Sequence, residues 1–117
     1  ILGRSRIPLF KLAAEVAMTH HERWDGGGYP VGLAGKAIPL SGRIVAVVDF
    51  FDALTMDRCY RKAFTDDVAL AMLQEQRGVA FDPVIVDCFL HHAATLVELR
   101  ERINRQPPSF EQLAELV

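Results

Sequence analysis

Two adjacent histidines, His20 and His21, close an apolar-patterned segment and open the run HHERWDGGGYPVGLAGKAIP, which ends at Pro39. Neutral imidazole is the commonest side-chain metal ligand. Successive residues at a helix end project about 100° apart, so such a pair suits two separate metals, or one metal and a substrate. A bare His-His pair is more often a half-exposed helix end. The next ten residues change that balance. Gly26, Gly27 and Gly28 permit positive φ and close backbone approach, Tyr29 offers a hydroxyl and a flat ring, and Pro30 stiffens the exit. A long glycine-rich loop with an aromatic in it, joining two apolar helices, is more often functional than connective. Glu22 and Asp25 are read equally as acceptors that orient the imidazoles and as solvated charges at a helix end. Trp24 reads as a packing anchor at the loop base.

Downstream, Asp49 stands in the apolar run IVAVVDFFDAL between Val47, Val48, Phe50 and Phe51. An isolated ionised carboxylate buried there would cost several kcal/mol, so it needs a partner: a metal ion on one reading, a buried Arg or backbone donors on the other. Asp52 reads as structural, capping the helix or pairing with Arg58. Arg58 and Arg61, in MDRCYRKAF, share a face if the helix continues and cluster at its end if it stops. Two guanidinium groups near a metal suit a phosphodiester, since each can grip the non-bridging oxygens with two hydrogen bonds. The plain alternative is a solvated basic helix terminus. Tyr60 reads as a packed aromatic.

The elements that must position these residues are helical. Pro8 reads as a first helical position, and Leu9, Leu12, Ala13, Val16, Ala17 and His20 recur at helical spacing as a buried stripe. Residues 24–39 read as an irregular loop, and Leu40 to about Thr55 as a helix apolar enough to be buried. Thr65 is an expected N-cap, with Asp66 and Asp67 in the first turn and Gly78 as the stop. Asp82-Pro83 starts a helix expected to run to about Ile103. Its His91-His92 pair is a weak second metal candidate, with no glycine loop and no carboxylate at ligand spacing. After a break at Gln106-Pro107-Pro108, Ser109 and Gln112 form a capping box for a last helix, Phe110 to Val117.

The 117 residues are half hydrophobic with a formal charge of −2, enough for one small core and no global attraction for a nucleic-acid polymer or anionic membrane. No signal peptide or spanning run is visible. Cys59 and Cys88 form no CxxC or zinc pattern and read as reduced, cytoplasmic thiols.

HHERWDGGGYP, then GLAG, IP and RIVAVVDFFDALTMDRCYR, resembles the second half of the HD-GYP family, bacterial phosphodiesterases that degrade cyclic di-GMP. The match runs from about Ala13 to Pro83. It implies an all-α partial HD-superfamily domain: about five helices with a long GYP loop, residues 1–106 forming the domain portion and 107–117 a short helix or connection. It implies His20, His21 and Asp49 as ligands for part of a set of two or three divalent metals, iron or manganese. It places Arg58 and Arg61 on the substrate phosphate, and Gly28, Tyr29 and Pro30 along the substrate groove. The activity implied is metal-assisted hydrolysis of cyclic di-GMP to linear pGpG or GMP. The alternative is a non-catalytic module that docks partner signalling domains, such as diguanylate cyclase domains, through the GYP loop. The resemblance departs at two points: Cys59 stands where Pro is usual, and these residues contain no His-Asp dipeptide, from which the family takes its first name. The chain therefore reads as a fragment, inactive alone, of a parent that could be membrane-attached. Its exposed apolar face is expected to drive dimerisation or aggregation.

Overall fold

The computed structural model describes residues 3–106 and 109–115. Within them lie six α-helices and a short 3₁₀ turn: α1 (Gly3–Thr19), the turn Gly35–Ala37, α2 (Leu40–Leu54), α3 (Asp66–Glu75), α4 (Pro83–His91), α5 (Ala93–Arg105) and α6 (Phe110–Glu115). The all-α expectation holds. Local signals account for most boundaries. Thr65 Oγ1 accepts from Val68 N, and Asp82 Oδ1 accepts from Val84 N with Pro83 at the first helical position. Ser109 and Gln112 exchange reciprocal hydrogen bonds of 2.8 and 3.2 Å, the expected capping box. The Pro107-Pro108 break and the last two residues of the expected final helix lie outside the described residues.

Two helices differ from expectation. Pro8 lies inside α1 rather than at its start, so the helix forgoes one backbone bond there. The long helix expected from Asp82 is divided at His92, whose φ of −102° and ψ of 12° end α4 and begin α5. The His92 N–H and its ring Nδ1 both turn back onto the Cys88 carbonyl, at 3.2 and 3.0 Å. Doubly engaging that carbonyl supplies a local stop that hydrophobic periodicity does not reveal.

The core sits between α2, α3 and α4. Val47, Leu73 and Val86 are fully buried, with Ala80 and Phe81 beside them, and Phe51, Leu54 and Ala69 form an adjoining cluster. Phe50 packs on Phe81 at 4.9 Å between ring centroids and Phe51 on Phe89 at 5.2 Å. A partly buried ion pair fastens this core to the loop. Arg43 donates from Nη1 to Asp82 Oδ2 at 2.8 Å and from Nε to the Ile38 carbonyl at 2.8 Å.

α1 packs against α2 through a close approach at Gly42. A Cβ there would overlap the Thr19 side chain, Thr19 being the last residue of α1. The stripe expected to be buried on α1 is instead largely open: Leu9, Leu12, Ala13 and Ala17 are exposed and Val16 is half-buried. α2 is likewise covered on one side only, with Leu40, Ile44 and Val48 exposed. Burial depends on what covers an apolar face, and none of the described elements covers these.

Candidate metal and phosphodiester site

The end of α1, the middle of α2 and the α3–α4 connection enclose a cleft of about 520 Å³. α1 and the residues after it supply His20, His21, Glu22 and Arg23; α2 supplies Ala46, Asp49, Phe50 and Ala53; the connection supplies Gln76, Ala80 and Phe81. The loop base is stitched to that connection by backbone bonds, Trp24 N to Ala80 O at 3.0 Å and Asp25 N to Val79 O at 2.9 Å. These bonds bring chain-distant walls together.

His20 Nδ1 lies 2.7 Å from the Val16 carbonyl. A carbonyl only accepts, so Nδ1 is the donor, and in the neutral ring this leaves the Nε2 lone pair for a metal, the tautomer a ligating imidazole requires. The His21 ring lies 3.9 Å from that of His20 and stacks on Tyr29 at 5.0 Å and 18°. Asp49 reaches the cleft from α2, but it is exposed. The expected buried carboxylate is therefore corrected: the flanking aliphatic residues face elsewhere, and Asp49 needs no buried counter-charge.

His20, His21 and Asp49 thus share one cleft, and their donor types suit a divalent transition metal. They do not complete a site. Among the described residues no three His, Cys, Asp or Glu side chains gather closely enough to hold a metal ion. The same holds for His91 and His92, whose rings meet edge to face at 4.8 Å on the surface.

The arginines fall at the edge of this arrangement, outside the cleft lining. α2 stops at Leu54, and Arg58 and Arg61 pair through their backbones across a tight turn, with N–O distances of 2.8 and 3.2 Å. The Arg61 guanidinium donates to the carbonyls of Ala53 at 3.2 Å and Lys62 at 3.1 Å and lies over the Phe64 ring. It therefore caps the C-terminus of α2, next to the cleft-lining Ala53. Arg58 is exposed and makes no side-chain hydrogen bond among the described residues. Asp52 is exposed and does not pair with it, and Tyr60, at 75% exposed, is not a packed aromatic.

Glu22 and Asp25 serve the loop rather than the imidazoles. Glu22, 4% exposed, accepts from Gly32 N at 2.8 Å and Leu33 N at 3.2 Å. Asp25 bridges Arg23 and Gly27 N, and the Arg23 hydrogen bond, followed by that of Gly27, holds its carboxyl below the usual carboxylate range. Of the three consecutive glycines only Gly26 takes positive φ, 84°. Gly28 is required for another reason: a Cβ there would stand 2.5 Å from both Arg23 N and the His21 carbonyl. Tyr29 and Pro30 are exposed beside it.

The HD domain profile matches residues 4–85, spanning α1, the loop, α2, α3 and the start of α4. The chain belongs to the HD domain family. It is 50% identical over 99 residues to the cyclic di-GMP phosphodiesterase response regulator RpfG of Xanthomonas campestris, covering 85% of this chain and 26% of that protein. A cyclic di-GMP phosphodiesterase of Thermotoga maritima is 42% identical over 102 residues, 87% of this chain and 28% of the relative. A 3'3'-cGAMP-specific phosphodiesterase 2 of Vibrio cholerae is 45% identical over 100 residues, covering 86% of this chain and 19% of the relative. The crystal structure of a cyclic GMP-AMP-specific phosphodiesterase of Vibrio cholerae superposes with a TM-score of 0.55 at 26% identity, covering 84% of this chain and 26% of that one. The chain thus spans less than a third of each of these proteins.

Cleft residues that the sequence did not single out as site residues include Arg23, Phe50, Gln76 and Phe81, besides three alanines. Phe50 read from the sequence as part of a buried apolar helix, and Phe81, which no motif marked, belongs to the core as well as to the cleft. Gln76 had no signal, because it joins the HD domain cleft only through the turn that ends α3.

Proposed function

We propose that this HD domain chain forms one side of the active site of a metal-dependent phosphodiesterase that hydrolyses a cyclic dinucleotide, cyclic di-GMP, to linear pGpG or GMP. The observation that carries this reading is the meeting of His20, whose Nδ1 is engaged by the Val16 carbonyl, His21 and Asp49 on one cleft. The relatives named as cyclic di-GMP phosphodiesterases support the substrate, and the cGAMP-specific relative shares its cyclic dinucleotide chemistry.

His20, His21 and Asp49 would hold part of a set of two or three divalent ions, iron or manganese, with further ligands contributed from outside these residues. Bound there, the metals supply an activated water and neutralise charge on the phosphate. The chain's own residues perform the rest. Val16 fixes the His20 tautomer, and the turn held by Arg61 presents the Arg58 guanidinium at the end of α2, where a phosphate oxygen can accept from it. Tyr29 would reach the substrate through its stack on the cleft residue His21, with Gly28 and Pro30 its chain neighbours outside the cleft lining.

The test is elemental analysis together with a cyclic di-GMP hydrolysis assay, on this chain and on a version extended upstream by about half a domain. Metal binding and turnover confined to the extended protein are the expected result. An extended protein that is metal-free and inert would refute the reading. A second role has its own observation: Tyr29 and Val31 are 61% and 72% exposed. That edge suits docking of a diguanylate cyclase domain, and the open α1 face suits a homodimer. No described helix is long and apolar enough to cross a membrane, and both cysteines are free thiols, which supports a cytoplasmic setting for the domain.

A further inference from the structure

We propose that Glu22 is a positioning residue whose buried carboxylate locks the glycine-rich loop so that the Tyr29 ring stays stacked on His21 at the cleft. The proposal rests on reading that cleft as the substrate site. Tyr29 is 61% exposed, so burial does not hold it in place. What holds it is a pair of anchors on either side. On the near side, Tyr29 N donates to the His21 carbonyl at 3.3 Å, and Gly28 is pressed against the backbone of residues 21–23 so closely that no side chain fits. On the far side, both oxygens of Glu22 are engaged by successive backbone N–H groups, Gly32 at 2.8 Å and Leu33 at 3.2 Å.

The choice of a carboxylate is informative. Glu22 is 4% exposed and has no cation within salt-bridge distance among the described residues. Burying a charge without a counter-charge is costly, and a small hydroxyl could tie a loop more cheaply. A rigid fork accepting two bonds, however, fixes the orientation as well as the distance of the Gly32-Leu33 turn. Glu22 also directly follows His21 in sequence, so the residue that ties the loop is joined to the proposed ligand pair by the backbone. The structure therefore makes the distance between Tyr29 and His21 a function of residue 22.

The test uses the full 117-residue chain, with NMR amide exchange and ring-to-ring nuclear Overhauser contacts as readouts. Glu22→Ala should lower the protection of the Gly32 and Leu33 amides by at least about tenfold and abolish Tyr29–His21 ring contacts, while Val47 and Leu73 amides keep theirs. Glu22→Gln, which retains one acceptor, should fall between. Ring contacts that persist in Glu22→Ala, or a uniform loss across the core amides, would overturn the proposal. Should Glu22→Ala fail to fold, unchanged loop protection and ring contacts in Glu22→Gln would do so. Tyr29→Ala separates cause from effect: Gly32 and Leu33 protection should survive it, and its loss would mean that the ring holds the loop. In an active extended protein, Glu22→Ala should raise KM for cyclic di-GMP about tenfold with kcat changed less than about threefold. An inert extended wild type would sink the functional reading while leaving the NMR result to decide the role of Glu22.

Discussion

Replacing Asp49 with Ala in an upstream-extended, active protein should cut kcat/KM for cyclic di-GMP by about a hundredfold or more and lower metal content, since the proposed ligand is removed without disturbing the core. The core is spared because the Asp49 side chain is exposed on the cleft rather than buried. Full activity with full metal content would remove Asp49 from the ligand set. Gly28→Ala acts by a different route. Its Cβ would meet main-chain atoms at 2.5 Å that cannot give way like a side chain, so the variant should lose about 1–3 kcal/mol in chemical denaturation, with loss of the Tyr29–His21 contact. At this scale the sequence showed which groups could do chemistry. It did not show what they would bond. Glu22 and Arg61 both spend their polar atoms on backbone groups that only the folded loop and the end of α2 bring within reach.

Asp82 illustrates how an element can be terminated and braced by one side chain. One oxygen caps α4 and the other receives Arg43, which also holds the Ile38 carbonyl. Asp82→Ala should therefore destabilise the chain by about 2–4 kcal/mol, read from urea unfolding, through loss of the cap and isolation of a partly buried guanidinium. A loss below about 1 kcal/mol would mean that the pair only matches its desolvation cost. A pH effect belongs to the same pair of helices. Arg77, following α3, grips Asp87 of α4 with bonds of 2.7 and 2.8 Å, and that hydrogen bonding holds the Asp87 carboxyl below its usual range. A depressed folded value means the stabilisation is present above the unfolded value of about 3.9 and fades as pH falls through the lower, folded one. The stability gap between wild type and Asp87→Asn should thus be open at pH 6 and narrow near pH 3. Elements were the most legible level, because caps such as Thr65, Asp82 and Ser109 act within four residues. The division at His92 was not legible, since it rests on a ring turning back to Cys88.

Taken whole, the molecule leaves Leu9, Phe10, Leu12 and Met18 of α1 exposed, together with Ile44 and Val48 of α2. Faces of this kind mark association surfaces. The isolated chain should self-associate in sedimentation velocity at micromolar concentrations, and Phe10→Ser with Leu12→Glu should shift it to monomer with its helicity unchanged. A wild type that is monomeric throughout would refute this. Such coverage is a property of assembly, which no reading of one helix at a time supplies. The contact between Gly42 and Thr19 also bears on the whole. It is a hinge pin set with no clearance, one residue before His20 and about two helical turns before Asp49. A single methyl group added at Gly42 would act as a wedge at that pin, splaying α1 from α2 and spreading the imidazoles from the carboxylate while leaving all three untouched. The spacing of the site is thus calibrated at a position that does no chemistry, and its tuning can be inherited, or lost, through a glycine.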